Sequence, residues 1–291
     1  ALVERTGLKV GLLYYNDNQP EKALTAYKQV ISNYPGSEEA KIALQDLKSV
    51  YIDLNDINAY ASYVNSIGGN IRLEVGEQDS LTYIAAEKLF MRGDNDGARR
   101  SLVNYLQTFP EGAFSSNANF YLGSIAFAKK EFDEAVQRFK SVIASGDTKF
   151  LEESVARTAE IEYLGNDYPA ALESFKRLQI VAENPENKQA ARLGIMRCAL
   201  QTGQQKDALL AADELLKEPK LSPELEAEAR YVRAKAYIDQ KQANKALADL
   251  KELSKDTRTV HGAEAKYLSA QLMYNAGEYA AAEKEILNLI D

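Results

Sequence analysis

The chain has 291 residues, 45% of them apolar, with 35 Lys and Arg against 43 Asp and Glu for a formal net charge of −8. That balance argues against a nucleic-acid backbone as partner, since phosphate contact needs a basic face. The single cysteine, Cys198, excludes an intrachain disulfide, and no apolar run approaches the roughly 18 residues of a membrane span.

Taken from the N-terminus, helical patterns come in pairs. The opening ALVERTGLKV is already helically spaced and lacks an initiating methionine, so it reads as a mature or trimmed fragment with further repeats expected before it. A lipid anchor would then lie outside this segment, and membrane insertion by the segment itself is not expected. After the turn residues Asn16, Asp17 and Asn18 comes PEKALTAYKQV (20–30). The same frame returns as INAYASYVNS (57–66), NDGARRSLVNY (95–105), EFDEAVQRFKSV (131–142) and DYPAALESFKRL (167–178). It continues as QKDALLAADELL (205–216), NKALADLKEL (244–253) and EYAAAEKEILNL (278–289). Its alanine falls at 23, 59, 98, 135, 171, 208, 246 and 282, a spacing of 36 to 39 residues that belongs to stacked helical hairpins.

A first helix precedes each copy. Twelve residues before the alanine come Gly11, Leu47, Ala86, Gly123, Ala159, Met196, Ala234 and Ala270, mostly small. Four residues after it come Tyr27, Tyr63, Leu102, Phe139, Phe175, Ala212, Leu250 and Ile286, mostly large and apolar. Small residues let facing backbones approach, and large ones fill the space between repeats. Gly123 is expected to bring the second helix close near Ala135, offsetting its helix-propensity cost of about 1 kcal/mol.

This pattern resembles the tetratricopeptide repeat along essentially the whole chain. The matching features are Leu122-Gly123 and Phe127 in a first helix, then Phe132, Ala135 and Phe139 in a second, with closing prolines at Pro35 and Pro110. The resemblance implies an all-α, right-handed superhelical solenoid of about eight hairpins. Its repeats fall near 4–39, 40–78, 79–115, 116–151, 152–188, 189–226, 227–262 and 263–291. The joints VISNYPGSEEAKIALQDL (30–47) and YLQTFPEGAFSSNANFYLG (105–123) are similar to repeats of Gram-negative envelope proteins, such as the Tol–Pal-associated coordinator and the outer-membrane-assembly lipoprotein. That likeness implies the periplasm or the periplasmic face of the outer membrane. The alternative is a cytoplasmic regulatory module whose groove binds a signalling peptide.

No catalytic constellation is apparent, and no cofactor is expected. The sole histidine, His261, sits where a loop enters a predicted helix, so a His/Cys metal site has no second ligand. Cys198 lies in the apolar run GIMRCAL and reads as a buried small hydrophobe. GGN at 68–70 has none of the spacing of a phosphate loop. Carboxylates such as those of ELEAEAR (224–230) read as a solvated face with i, i+4 pairing, Glu226 with Arg230.

A partner, protein or peptide, is expected in the groove lined by the first helices. Eleven residues before the alanine a polar column runs through Glu87, Ser124, Glu160, Arg197, Lys235 and Gln271. Four residues earlier come Tyr83, Phe120, Tyr231 and Tyr267, and three residues after the polar column stands Tyr163. Aromatic anchors beside charges suit peptide capture. The change from Glu87 and Glu160 to Arg197 and Lys235 suggests a partner of graded charge. The resemblance also allows a carboxylate clamp for chaperone tails, but its slots hold Leu8, Leu12, Gln45, Ser80 and Ile84, so none is expected. Stacking leaves Leu287 and Ile290 of the last helix to be covered by something else.

Overall fold

The computed structural model describes the backbone of residues 2–69, 71–146 and 149–290 and the side chains of residues 3–69, 71–146 and 149–287. Among them are sixteen α-helices and no strand. The chain divides into two compact units, Ala1–Ser145 and Gly146–Asp291. Asn70 of the GGN stretch and the Ile290 side chain lie outside the described residues.

Unit 1 holds four hairpins: α1 (Leu2–Asn16) with α2 (Pro20–Asn33), α3 (Glu38–Asp53) with α4 (Ile57–Ile67), α5 (Val75–Met91) with α6 (Asn95–Thr108), and α7 (Ser115–Ala128) with α8 (Phe132–Ser145). Unit 2 holds four more: α9 (Leu151–Leu164) with α10 (Tyr168–Val181), α11 (Pro185–Gln201) with α12 (Gln205–Leu216), α13 (Pro223–Asp239) with α14 (Ala243–Leu253), and α15 (Val260–Asn275) with α16 (Tyr279–Ile290). Each hairpin turns on one residue at positive φ: Asn18, Asn55, Gly93, Lys130, Asn166, Gly203, Lys241 and Gly277. The next residue's N–H reaches back to a carbonyl in the last turn of the first helix, as Glu131 does to Ala126 at 2.9 Å and Asp167 to Glu162 at 2.9 Å. Orphan carbonyls are thereby satisfied and the chain reverses within three residues.

The left-handed turn residue fixes the register. Five residues later stands Ala23, Ala98, Ala135, Ala171, Ala208, Ala246 or Ala282, and each is buried. In the second hairpin the same count from Asn55 reaches Tyr60, 3% exposed, while Ala59 is only partly buried. The predicted frame of that copy is therefore early by one residue, and the large side chain of the column is Val64 rather than Tyr63. The small slot of its first helix, seven residues before the turn residue, holds Lys48. With Lys48 and Tyr60 where most other hairpins bring small residues together, the backbones of α3 and α4 stand further apart, and α3 packs mainly on α2, with further contact to α1 and α5.

Gly123 serves a different neighbour from the one expected. A Cβ there would lie 2.8 Å and 2.9 Å from Cε1 and Cδ1 of Phe139, so the ring of the large column, not Ala135, lies on the glycine. Gly11 under Tyr27 repeats the arrangement, with a Cβ at 2.5 Å from the ring. The stretch 120–143 is two helices reversing at 129–131, as the sequence indicates.

In each unit one joint between hairpins is held by an acid near the start of the preceding first helix. In unit 1 buried Asp79 accepts the Tyr105 hydroxyl at 2.5 Å and the Ala113 N–H at 2.9 Å, and the Phe114 N–H donates to the Tyr105 oxygen at 3.0 Å. The aromatic–proline joint at 109–110 is thus closed by its own hydrogen bonds. Glu152 holds the same register in unit 2. It accepts the N–H groups of Glu183 (3.0 Å) and Asn184 (3.1 Å) and the Asn187 amide (2.7 Å). Burial alone would raise its carboxyl, but those donors outweigh burial and leave it below the ordinary glutamate value. A depressed folded value means stability that is present above the unfolded pKa and lost as pH falls through the folded one. Melting curves from pH 7 to pH 3 should therefore show a wild-type decline that Glu152→Gln partly removes; an identical decline in both would refute the assignment.

Between α12, α13 and α14 lies a partly buried ion cluster centred on Asp249. Asp249 is 2% exposed and accepts from Arg233 Nε and Nη2, both at 2.7 Å, and from Arg230 Nη1 at 3.2 Å. Arg233 Nη1 also donates to Asp213 at 2.8 Å. The Asp249 hydrogen bonds, opposed by burial and supported by Asp213, hold the Arg233 guanidinium well above its usual value. The expected pair is present too, with Arg230 Nε at 3.0 Å from Glu226, but Arg230 spans both acids.

Candidate functional site

Within each unit the expected partner-binding residues differ in exposure from one hairpin to the next. Tyr83 is 2% exposed and belongs to the core of unit 1, a correction to its reading as a groove residue. Its ring stacks on Phe114 with centroids 4.5 Å apart, its hydroxyl donates to Glu87 at 2.7 Å, and it accepts from the Asn117 amide at 3.3 Å. Burial first, and then Glu87, drive its phenol far above the ordinary tyrosine value. Glu87 takes a second hydroxyl, that of Tyr121 at 3.1 Å. Phe120 is half-buried against Tyr121 and Phe139, and the Ser124 hydroxyl donates to the Phe120 carbonyl at 2.9 Å.

In unit 2 Tyr231 is half-buried, with its hydroxyl on Glu264, its ring 4.9 Å from that of His261 and Lys235 Nζ 5.6 Å over it. His261 is the second residue of α15, inside the helix rather than before it. Tyr267 and Gln271 are exposed and line a shallow hollow of about 430 Å³ on α15 and α16, together with Tyr274 and Leu287. Leu287 is 54% exposed. Cys198 is fully buried, and burial pushes its thiol up to about 11, so it is an inert packing residue. Among the described residues no group of three or more His, Cys, Asp or Glu is placed to hold a metal ion, and no helix is long and apolar enough to cross a membrane.

Three expected residues, Glu160, Tyr163 and Arg197, do meet. They border a cleft of about 300 Å³ between α9 and α11, floored by Phe175 and Leu178 of α10. Its walls are apolar through Ala156, Leu164 and Leu193. Its rim is charged: Arg157 Nε donates to Glu153 at 2.8 Å and Nη1 to Glu160 at 3.1 Å. Burial would lower the Arg157 guanidinium, but the two carboxylates outweigh it and leave it raised. Arg197 is gripped by Glu228 of α13 through Nε at 2.6 Å and Nη2 at 2.7 Å. That hydrogen bonding, against the cost of burial, raises Arg197 as well. The positive stretch of the polar column is thus neutralised at Arg197 by an acid 31 residues on.

The sequence columns overlooked Ala156, Arg157 and Leu193 as binding residues. The available signal was Ala156, the one small side chain in a column that otherwise holds Tyr83, Phe120, Tyr231, Tyr267 and the leucines Leu8, Leu44 and Leu193. Where those positions carry rings or leucine side chains, Ala156 leaves space.

Comparison with known proteins agrees with the repeat reading. Tetratricopeptide-repeat models match residues 6–37, on α1 and α2, and residues 85–148, from α5 through α8. No curated protein matches the sequence significantly. Similar solved structures include YrrB, described as a TPR protein with an unusual peptide-binding site, at 17% identity over 68% of this chain and 91% of that one (TM-score 0.45). PilW, a type IV pilus biogenesis factor, is similar at 14% identity over 78% and 99% (TM-score 0.39). The C-terminal part of a TPR repeat-containing protein from Cytophaga hutchinsonii is similar at 15% identity over 89% and 98% (TM-score 0.45). The matched segments coincide with hairpins whose turns, caps and small-on-large packing recur down both units, and over residues 6–37 and 85–148 the chain matches the tetratricopeptide-repeat family.

Proposed function

We propose that the chain is a non-enzymatic scaffold that holds a protein or peptide partner on the α9–α11 face of unit 2, within the bacterial cell envelope. The observation that carries the reading is the cleft itself: an apolar floor of Phe175, Leu178 and Leu193 under a rim of paired charges. Such a site gives an anchor side chain a dry seat and the flanking chain polar contacts. The net charge of −8 fits a protein partner better than nucleic acid. The envelope location rests on the likeness of the aromatic–proline joints to envelope repeats.

A photo-crosslinking residue at position 190, on the cleft's α11 side, tests the face. The expected result is one envelope protein crosslinked by the otherwise wild-type chain and lost when Leu193→Arg is added with helicity unchanged. Crosslinks that persist in the Leu193→Arg chain would place the partner elsewhere. Fractionation of the full-length gene product tests the location, and recovery from the cytosol would favour a cytoplasmic sensor module.

A further inference from the structure

Unit 1 contains, at the same repeat register, what the cleft of unit 2 lacks. Counted back from the turn residues Gly93 and Asn166, Tyr83 corresponds to Ala156 and Glu87 to Glu160. Counted from Lys130 and Gly203 in the following hairpins, Phe114 corresponds to Asn187, Asn117 to Ala190 and Tyr121 to Gly194. In unit 1 these side chains close the joint: the Tyr83 ring stacks on Phe114, and both tyrosine hydroxyls donate to Glu87. In unit 2 all three rings are absent, and the five residues at those positions line the cleft. The hydrogen-bond acceptor has stayed. Glu160 follows Ala156 by one helical turn, as Glu87 follows Tyr83, and Arg157 holds its carboxylate at the rim.

We propose that the cleft is a receptor for a tyrosine side chain of the partner. The ring enters beside Ala156, over Phe175 and Leu178, and the hydroxyl donates to Glu160. Space permits this, since a dry cavity of about 150 Å³ already accepts benzene and this one is about 300 Å³. Chemistry selects it, because a phenol adds a second donor to the Glu160 carboxylate beside Arg157, which an aliphatic or phenylalanine anchor does not. The proposal rests on the reading of the α9–α11 face as a partner site and names the group that site takes.

The test uses the full chain, with p-cresol as the tyrosine mimic and toluene as its hydroxyl-free counterpart. Binding is followed by the methyl resonances of Leu164, Leu178 and Leu193. p-Cresol should shift those methyls and bind roughly tenfold tighter than toluene. Glu160→Gln, on the exposed rim, should bring the two ligands within about twofold of each other, acting through the p-cresol affinity alone. Ala156→Tyr should fill the site from within and abolish the p-cresol shifts. Equal affinity for the two ligands in the wild type, or a preference that survives Glu160→Gln, would overturn the tyrosine assignment while leaving the crosslinked face in place. An absence of any shift at the three leucines would overturn it as well.

Discussion

Asp249→Ala should lower the unfolding free energy by about 3 kcal/mol, read as a fall in urea midpoint with the slope unchanged. Removing one partner of a buried ion cluster strands the others, at a cost of about 3–5 kcal/mol. Here Arg230 keeps Glu226 and Arg233 keeps Asp213, which places the loss at the lower end of that range. Replacing the cluster by apolar side chains, Asp249→Leu with Arg233→Met, should recover much of the loss because no charge is then left buried. A single substitution that costs under about 1 kcal/mol would show that the cluster contributes little to holding α12, α13 and α14 together.

The second large effect is at Phe139, 1% exposed and seated on Gly123. Phe139→Ala should cost about 3–5 kcal/mol through lost burial and the cavity left behind. Gly123→Ala alone should cost about 1–3 kcal/mol, because the added methyl must displace the ring. The two are coupled. In the Phe139→Ala background, Gly123→Ala should cost under about 1 kcal/mol or become neutral, since the ring it collides with is gone. Additive losses in the double variant would mean that the glycine serves the backbone and not the ring.

Much of the fold was legible because the repeat writes each rule eight times. The alanine column and the turn residues agree with the structure wherever the copies agree with one another. The second copy failed by one residue, since Ala59 offered itself as the common alanine while the turn at Asn55 puts Tyr60 in that place. A count from the turn residue, not from the alanine, would have caught it.

The candidate site was less legible. Tyr83 and Tyr267 occupy the same column, yet one is 2% exposed and the other 53%. The difference lies in the next hairpin, where Phe114 and Asn117 meet Tyr83. The pairing of Arg197 with Glu228 likewise joins residues about one repeat apart, which composition along a single helix does not show. The cleft was written in the sequence only as a missing ring at Ala156.

The wider backbone separation of α3 and α4 bears on how unit 1 comes apart. In a linear array each hairpin is coupled only to its neighbours, so cooperativity travels along the stack and weakens at its thinnest joint. Helix α4 meets both α3 and α5 sparingly, and α3 reaches α5 past it. An opening that starts at one end of the unit therefore stalls there. Amide exchange should sort α1–α3 and α5–α8 into separate blocks, with α4 the first helix to trade its protons.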